Sequence, residues 1–361
     1  MKLKFSQSFW ILIAAIIVGG LSGILGFIII GAGNFKIPFV GKLDYGNNNL
    51  DQNIVIEQPR SVVIEQDTQI NQIENNVLPA IINIYHPKKS ADPMIAAYTD
   101  KDLLGRGVML TADGWVISTA AAISNLKSAY AAVGYQNKKY DLKPVVADSA
   151  TGLIFAKIEA ANLPVVKFGK SADLNIGQTV VAIGGQDELM VVSISKIGYE
   201  FDQSKDLVLN SDSLAKKIYL DRQLPETYDG GVLVNFKGEV VGIISGGAAI
   251  PADNFNNILA GVLSDKKVVR ASLKIDYIDL AQVDGLIALA DKGAYVAYEP
   301  LKGTAAYGLV KKGDIIKKVN DIELNSFVGL AEAVNKYRMG DKVEIMLSRD
   351  GKDMSVSVTL L

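Results

Sequence analysis

The sequence predicts a mainly β protein preceded by one apolar helical segment, and three observations carry that prediction. An uncharged apolar run covers Phe9 to Ile30. From residue 78, short β-rich runs alternate with turn signals. From about residue 272, strand-like runs flank a single helical stretch. The expected organisation is an N-terminal transmembrane anchor over 1–31 and a linker with a short helical segment over 32–77. An all-β barrel or sandwich domain over 78–267 and a smaller α+β block over 272–361 follow.

The anchor is argued from length. Phe9 to Ile30 has Ser22 as its only clearly polar residue, and its helical length would be roughly 33 Å, enough to cross a bilayer's hydrocarbon core. The run exceeds the apolar stretch of about 7–15 residues found in signal peptides, although Gly31-Ala32-Gly33 offers a small-residue cleavage site. Gly19 and Gly23 form a GxxxG pair, which either brings two helices together or reflects how common glycine is in membrane helices. Lys2 and Lys4 lie before the run, and Lys36 and Lys42 after it, so charge counting does not set the orientation.

Residues 31–60 are rich in Asn, Gly and Gln, as a tether would be. Val63, Ile70 and Val77 then recur at sevens, with Ile73 between. This predicts a short helix that packs on the body or pairs between subunits. Strands are expected at Ala80 to Tyr85, Arg106 to Leu110, Trp115 to Ser118 and Val180 to Ile183. Turns are expected at Asp113-Gly114, Gly184-Gly185, Asp229-Gly230-Gly231 and Lys237-Gly238. In the last block a helix is expected from about Ser326 to Tyr337, capped by Asn325 or Ser326, with two strands around Arg349 to Lys352.

Composition removes several function classes. Lys+Arg 37 against Asp+Glu 39 leaves a net charge of -2, with no electrostatic footprint for nucleic acid. Cysteine is absent and His86 is the single histidine, which argues against a zinc site and excludes a thiolate nucleophile. The glycine-rich pieces contain no phosphate-binding motif. No cofactor and no metal are expected.

Four stretches, in order, resemble the HtrA/Deg family of membrane-anchored trypsin-like proteases with a PDZ domain. Gly105 to Val108 with Thr111 to Ser118 is similar to the hairpin leading to the catalytic His. Asp148 to Ile158 is similar to the segment carrying the catalytic Asp. Phe168 to Ser171, Ile176 to Gln178 and Ala182 to Gly184 are similar to the link into the second barrel. Asp229 to Asn235 with Gly238 to Ile243 is similar to the nucleophile loop and its hairpin. The resemblance covers roughly residues 62–361. It implies a trypsin-like double β-barrel over 78–267 and a PDZ domain over 272–361.

The departures from the family's pattern bear on function. Ala121 stands where the resemblance places the His, Gly152 where it places the Asp, and Asp229 where it places the Ser. Thr227 and Tyr228 replace the Gly and Asn of the oxyanion turn. Ala121 cannot accept a proton, Gly152 cannot orient a base, and an ionised Asp229 would repel a developing oxyanion. Asp229 is either a turn residue or a binder of a cation or basic peptide group. His86 is expected at a strand end, as a surface or edge residue.

The expected function is therefore a catalytically degenerate, membrane-anchored HtrA-like protein that binds extended or unfolded polypeptide. The alternatives are a serine-type endopeptidase using unrecognised groups, or a regulatory subunit of an active HtrA-type protease. The implied partners are polypeptides, the membrane through the N-terminal helix, and a homotrimer or mixed oligomer with an active paralogue. The folded domains are expected on the extracytoplasmic side of a single-pass membrane protein. The PDZ peptide site is expected at Ile275, Asp276 and Tyr277, with Asp276 at a turn position where the family has Gly, which would set a negative charge beside an incoming chain-end carboxylate. Leu330 and Val334 either line that groove or face the core.

Overall fold

The structure is a computed structural model and describes residues 16–19, 62–90, 92, 94–185, 188–199, 207–283, 293–326 and 328–361. The chain divides into two units, Met1–Arg60 and Ser61–Leu361. Most of the expected anchor, 1–31, and the tether after it lie outside the described residues; Ile16 to Gly19 are helical and exposed. Among the described residues, no helix is long and apolar enough to cross a membrane.

The second unit opens with α1, Val62–Val77. Its heptad-spaced face is spent on the body: Ile73 and Val77 are buried in the first barrel's core, and Ile70 packs on the same cluster. That barrel holds β1 (Ile81–Tyr85), β2 (Leu103–Met109), β3 (Trp115–Thr119), β4 (Tyr130–Val133), β5 (Lys139–Asp148) and β6 (Leu153–Ile158), closed in the order β1-β2-β3-β6-β5-β4. Closure leaves no unpaired edge, and it suits strands such as Trp115–Thr119 that are buried along their whole length.

The second barrel uses β7 (Lys167–Phe168), β8 (Thr179–Gly185), β9 (Glu188–Gly198), β11 (Lys217–Leu220), β12 (Val232–Val234), β13 (Glu239–Ser245) and β14 (Ala248–Pro251). Strands β12, β8, β9, β11, β14 and β13 form a ring, because β12 also pairs with β13, and β7 adds to β13. Between β9 and β11 the chain sends out β10 (Leu209–Asn210), which belongs to a different sheet. The helix α2, Leu259–Asp265, follows and ends on Lys266 in a left-handed conformation, φ 56°. Val262 of this helix joins the first core cluster.

The last sheet runs β10, β15 (Asp276–Asp279), β16 (Ala294–Val296), β17 (Ile315–Val319), β19 (Lys342–Arg349) and β20 (Lys352–Thr359), with β18 (Ile322–Glu323) on β17. Ser272 and Leu361 exchange backbone hydrogen bonds at 2.8 and 3.1 Å, so the C-terminus is tied to the start of this domain. The helix α3, Leu330–Val334, is shorter than the expected Ser326 to Tyr337. Asn325 accepts from the Val328 N–H at 3.0 Å and makes a turn before the helix, while Glu332 reaches back to the Gly329 N–H at 2.9 Å. The first helical turn is thus satisfied from within, and the helix starts later than the expected cap residues.

Candidate functional site

The three positions Ala121, Gly152 and Asp229 converge at the C-terminal end of β3. Ala121 is exposed in the turn after this strand. The neighbouring Ala120 N–H donates to the Gly152 carbonyl at 3.0 Å. On the other side, the Thr119 hydroxyl reaches the Asp229 carboxylate at 3.4 Å. Gly105 sits between the two halves: a Cβ there would lie 2.6 Å from the Ala122 Cβ and 3.1 Å from the Asp229 carbonyl oxygen. Long-range strand pairing therefore assembles what the sequence scatters over more than a hundred residues.

Asp229 is half-buried. Burial raises its carboxyl above the ordinary Asp value, while the Gly246 N–H, at 2.7 Å, and Thr119 oppose that shift by stabilising the charged form. The side chain is held by a turn amide and a hydroxyl. His86, the one histidine, is exposed just after β1 and stacks on Tyr130 with ring centroids 5.8 Å apart.

The turn before Asp229 is a single tight helical turn, Glu226–Tyr228. It consumes a donor: the Asp229 N–H is given to the Glu226 carbonyl at 3.0 Å. An oxyanion hole requires such N–H groups to point at the reacting oxygen. The Thr227 carbonyl is turned toward Arg106, whose Nε donates to it at 3.1 Å. Tyr228 is buried in the second barrel's core, and burial raises its phenol above the ordinary value.

In the sequence Arg106 stands at the start of an expected strand and within a hairpin motif, with no side-chain role to mark it. Its guanidinium is buried and also binds Asn83 and, at 2.9 Å, Glu188. Its backbone N–H donates to the Asp229 carbonyl at 2.7 Å, and its carbonyl accepts from the Ser118 hydroxyl at 2.5 Å. Thr119 and Gly246 were also missed. Nothing local marks them, because their partner lies 110 and 17 residues away.

The expected peptide site lies at the β15 edge. Ile275 and Tyr277 are buried in the last domain's core, and Asp276 is half-buried with its carboxylate accepting from the Asn210 amide at 2.7 Å. The left-handed residue of this segment is Lys274, φ 52°, rather than Asp276, which is an ordinary strand residue. The special turn thus sits two positions earlier than the sequence register suggested. Leu330 and Val334 are both buried in the core.

A closed six-stranded barrel, a second barrel ring and a smaller sheet with one short helix, in this order, define a trypsin-like peptidase framework joined to a PDZ domain. Comparison with known families agrees: the trypsin-like peptidase domain matches residues 105–243 and the PDZ domain matches 284–360. The arrangement is that of the HtrA/DegP family. A probable periplasmic serine endoprotease DegP-like protein of Marinomonas sp. (strain MWYL1) is 31% identical over 71% of this chain and 56% of its own length. The periplasmic serine endoprotease DegP of Escherichia coli (strain K12) is 28% identical over 71% of this chain and 56% of its own. The chain thus spans little more than half the length of these relatives.

Among solved structures, the HtrA-type protease AlgW with tripeptide aligns with a TM-score of 0.58 at 20% identity, covering 80% of this chain and 96% of that one. The same protease with decapeptide gives 0.54 at 21%, covering 80% and 97%. These likenesses establish the fold. The relatives named above bear on placement. The matching relatives are named periplasmic. The expected single-pass membrane placement, with the N-terminal helix as membrane partner, is therefore corrected. Hydropathy of an isolated run measures its suitability for lipid, not where it resides.

Proposed function

We propose that this chain binds extended or unfolded polypeptide and does not hydrolyse it. One observation carries the reading. At the nucleophile position the side chain is Asp229, held by Gly246 and Thr119, and its own N–H is spent on Glu226. Acyl transfer needs a nucleophile activated by a base and free N–H donors for the oxyanion. Binding needs neither, because an extended peptide adds to a sheet edge through main-chain hydrogen bonds.

The names of the relatives support the competing reading of a serine-type endopeptidase. The purified chain, incubated with unfolded casein, separates the two. Retention of casein without new fragments is expected. Hydrolysis that persists through inhibitor and contaminant controls would overturn the proposal. A homotrimer, or a mixed oligomer with an active HtrA-type protease, belongs to the same reading, and sedimentation of the chain alone and co-expressed with such a protease tests it.

A further inference from the structure

The outer edge of β15 is where an extended peptide would join the last sheet, and this edge is taken by the chain itself. β10 pairs antiparallel with β15, Leu209 opposite Tyr277 and Asn210 opposite Asp276. Ser211 extends the ladder: its N–H donates to the Ile275 carbonyl and its hydroxyl accepts from the Ile275 N–H, both at 2.9 Å. Leu209 packs against the domain's core.

Asp212 ends the run. One carboxylate oxygen accepts from the N–H groups of Leu273 and Lys274, both at 3.1 Å, and the other accepts from the Ser272 hydroxyl at 2.6 Å. Lys274 has φ 52°. A left-handed residue turns successive N–H groups toward one point and makes an anion-binding concavity. A concavity of this kind beside an edge strand captures the carboxylate at the end of a peptide. Here a side-chain carboxylate fills it, delivered by a strand that runs toward it in the direction a bound C-terminus would take. Beside the site, a cavity of about 200 Å³ is lined by Asp212, Lys274, Tyr298 and Leu301. Tyr298 and Leu301 are exposed there, at 53% and 76%.

We propose that Leu209–Asp212 is an internal mimic of a C-terminal peptide, and that the β15 edge takes an extended peptide with a free chain-end carboxylate once this segment leaves. The proposal rests on the polypeptide-binding reading and names its site, its ligand's chemistry and its competitor. The competitor is tethered, and short tethers hold effective concentrations in the millimolar range. Displacing it from outside therefore weakens any peptide's apparent affinity.

The test uses the full chain, its Asp212→Ala and Asp212→Asn variants, and a fluorescent peptide Leu-Val-Leu-Asn-Ser-Ala. This is the internal strand without its acidic side chain, as free acid and as amide. Asp212→Ala is expected to bind the free acid at least about tenfold tighter than the parent, and to bind the amide more weakly than the free acid. Amide exchange at Leu273, Lys274 and Ile275 is expected to speed up in both variants and to slow again when the free acid is added to Asp212→Ala. Unchanged exchange at these amides in both variants would overturn the proposal, as would equal affinity of parent and Asp212→Ala, no preference for the free acid, or no binding by Asp212→Ala. Casein retention without a free-acid preference would remove this proposal and leave polypeptide binding standing. Absence of casein retention would count against the broader reading instead.

Discussion

Arg270 closes a two-pronged ion pair on Asp148: its Nε meets one carboxylate oxygen at 3.0 Å and a terminal nitrogen meets the other at 2.5 Å. Asp148 ends β5 in the first barrel and is 1% exposed. The same guanidinium binds the Asn254 carbonyl at 2.9 Å and the Asn335 side chain just after α3. One side chain therefore joins both barrels and the PDZ domain.

Arg270→Met is expected to destabilise the body by about 3 kcal/mol, because it strands a buried carboxylate without its partner. Urea unfolding measures the loss. An Asp148→Asn, Arg270→Met double variant should recover part of it, since the uncompensated charge is then gone. A single-variant effect below about 1 kcal/mol would show that the pair contributes little.

Gly230→Ala is expected to be among the most damaging single changes in the cleft. Gly230 has φ 82°, and a Cβ there would lie 1.9 Å from the Arg106 carbonyl oxygen. That backbone cannot yield cheaply, because the Arg106 carbonyl also accepts from Ser118. A loss above about 3 kcal/mol is expected, in the range of overpacking combined with backbone strain. A melting temperature within a few degrees of the parent's would contradict the tight packing here.

The joint between the second barrel and the PDZ domain should respond to pH. Burial pushes the Glu332 and Asp279 carboxyls upward, with Lys216 as the main opposing influence. A carboxyl raised on folding binds more protons in the folded state, so its contribution is greatest below the unfolded value and declines as pH rises through the folded one. Glu332→Gln is therefore expected to reduce the fall in stability between about pH 5 and about pH 8. Chemical unfolding of parent and variant at both ends checks this, and identical slopes would refute it. Lys216→Met should steepen the fall, since it removes the cation 3.9 Å from Glu332.

Restoring the three side chains alone should not restore catalysis. A variant carrying Ala121→His, Gly152→Asp and Asp229→Ser still has the turn that spends the position-229 N–H on Glu226. Gly152 also has φ 76°, where a side chain is strained. Labelling by a serine-directed fluorophosphonate is expected to be absent in this variant. It is expected to appear only when Thr227→Gly and Tyr228→Asn are added. Labelling of the triple variant would show that the turn rearranges freely.

Much of the barrel framework was legible because strand and turn chemistry is local. Trp115–Thr119 and the Asp113-Gly114 turn announce themselves within a few residues. The α3 boundary was less legible, because the choice between Asn325 and Gly329 as the start depends on which side chain finds which amide. The left-handed turn of the expected peptide site was not legible for a related reason: a left-handed lysine at 274 carries no glycine to mark it.

The sequence by itself determined which chemical groups exist. Ala121, Gly152 and Asp229 at the matched positions bring no imidazole and no hydroxyl of their own, and it is the fold that sets the one histidine, His86, against Tyr130. It also determined the order of the domains, through motifs that each span a few residues. Only the tertiary structure decided what Asp229, Asp212 and Arg270 touch. Asp212 meets Leu273 across 61 residues and Arg270 meets Asp148 across 122. Periodicity records which face of an element is buried, but it carries no record of what buries it. Closing such long loops costs conformational entropy that grows only slowly with length, so the packing of whole domains selects the partner.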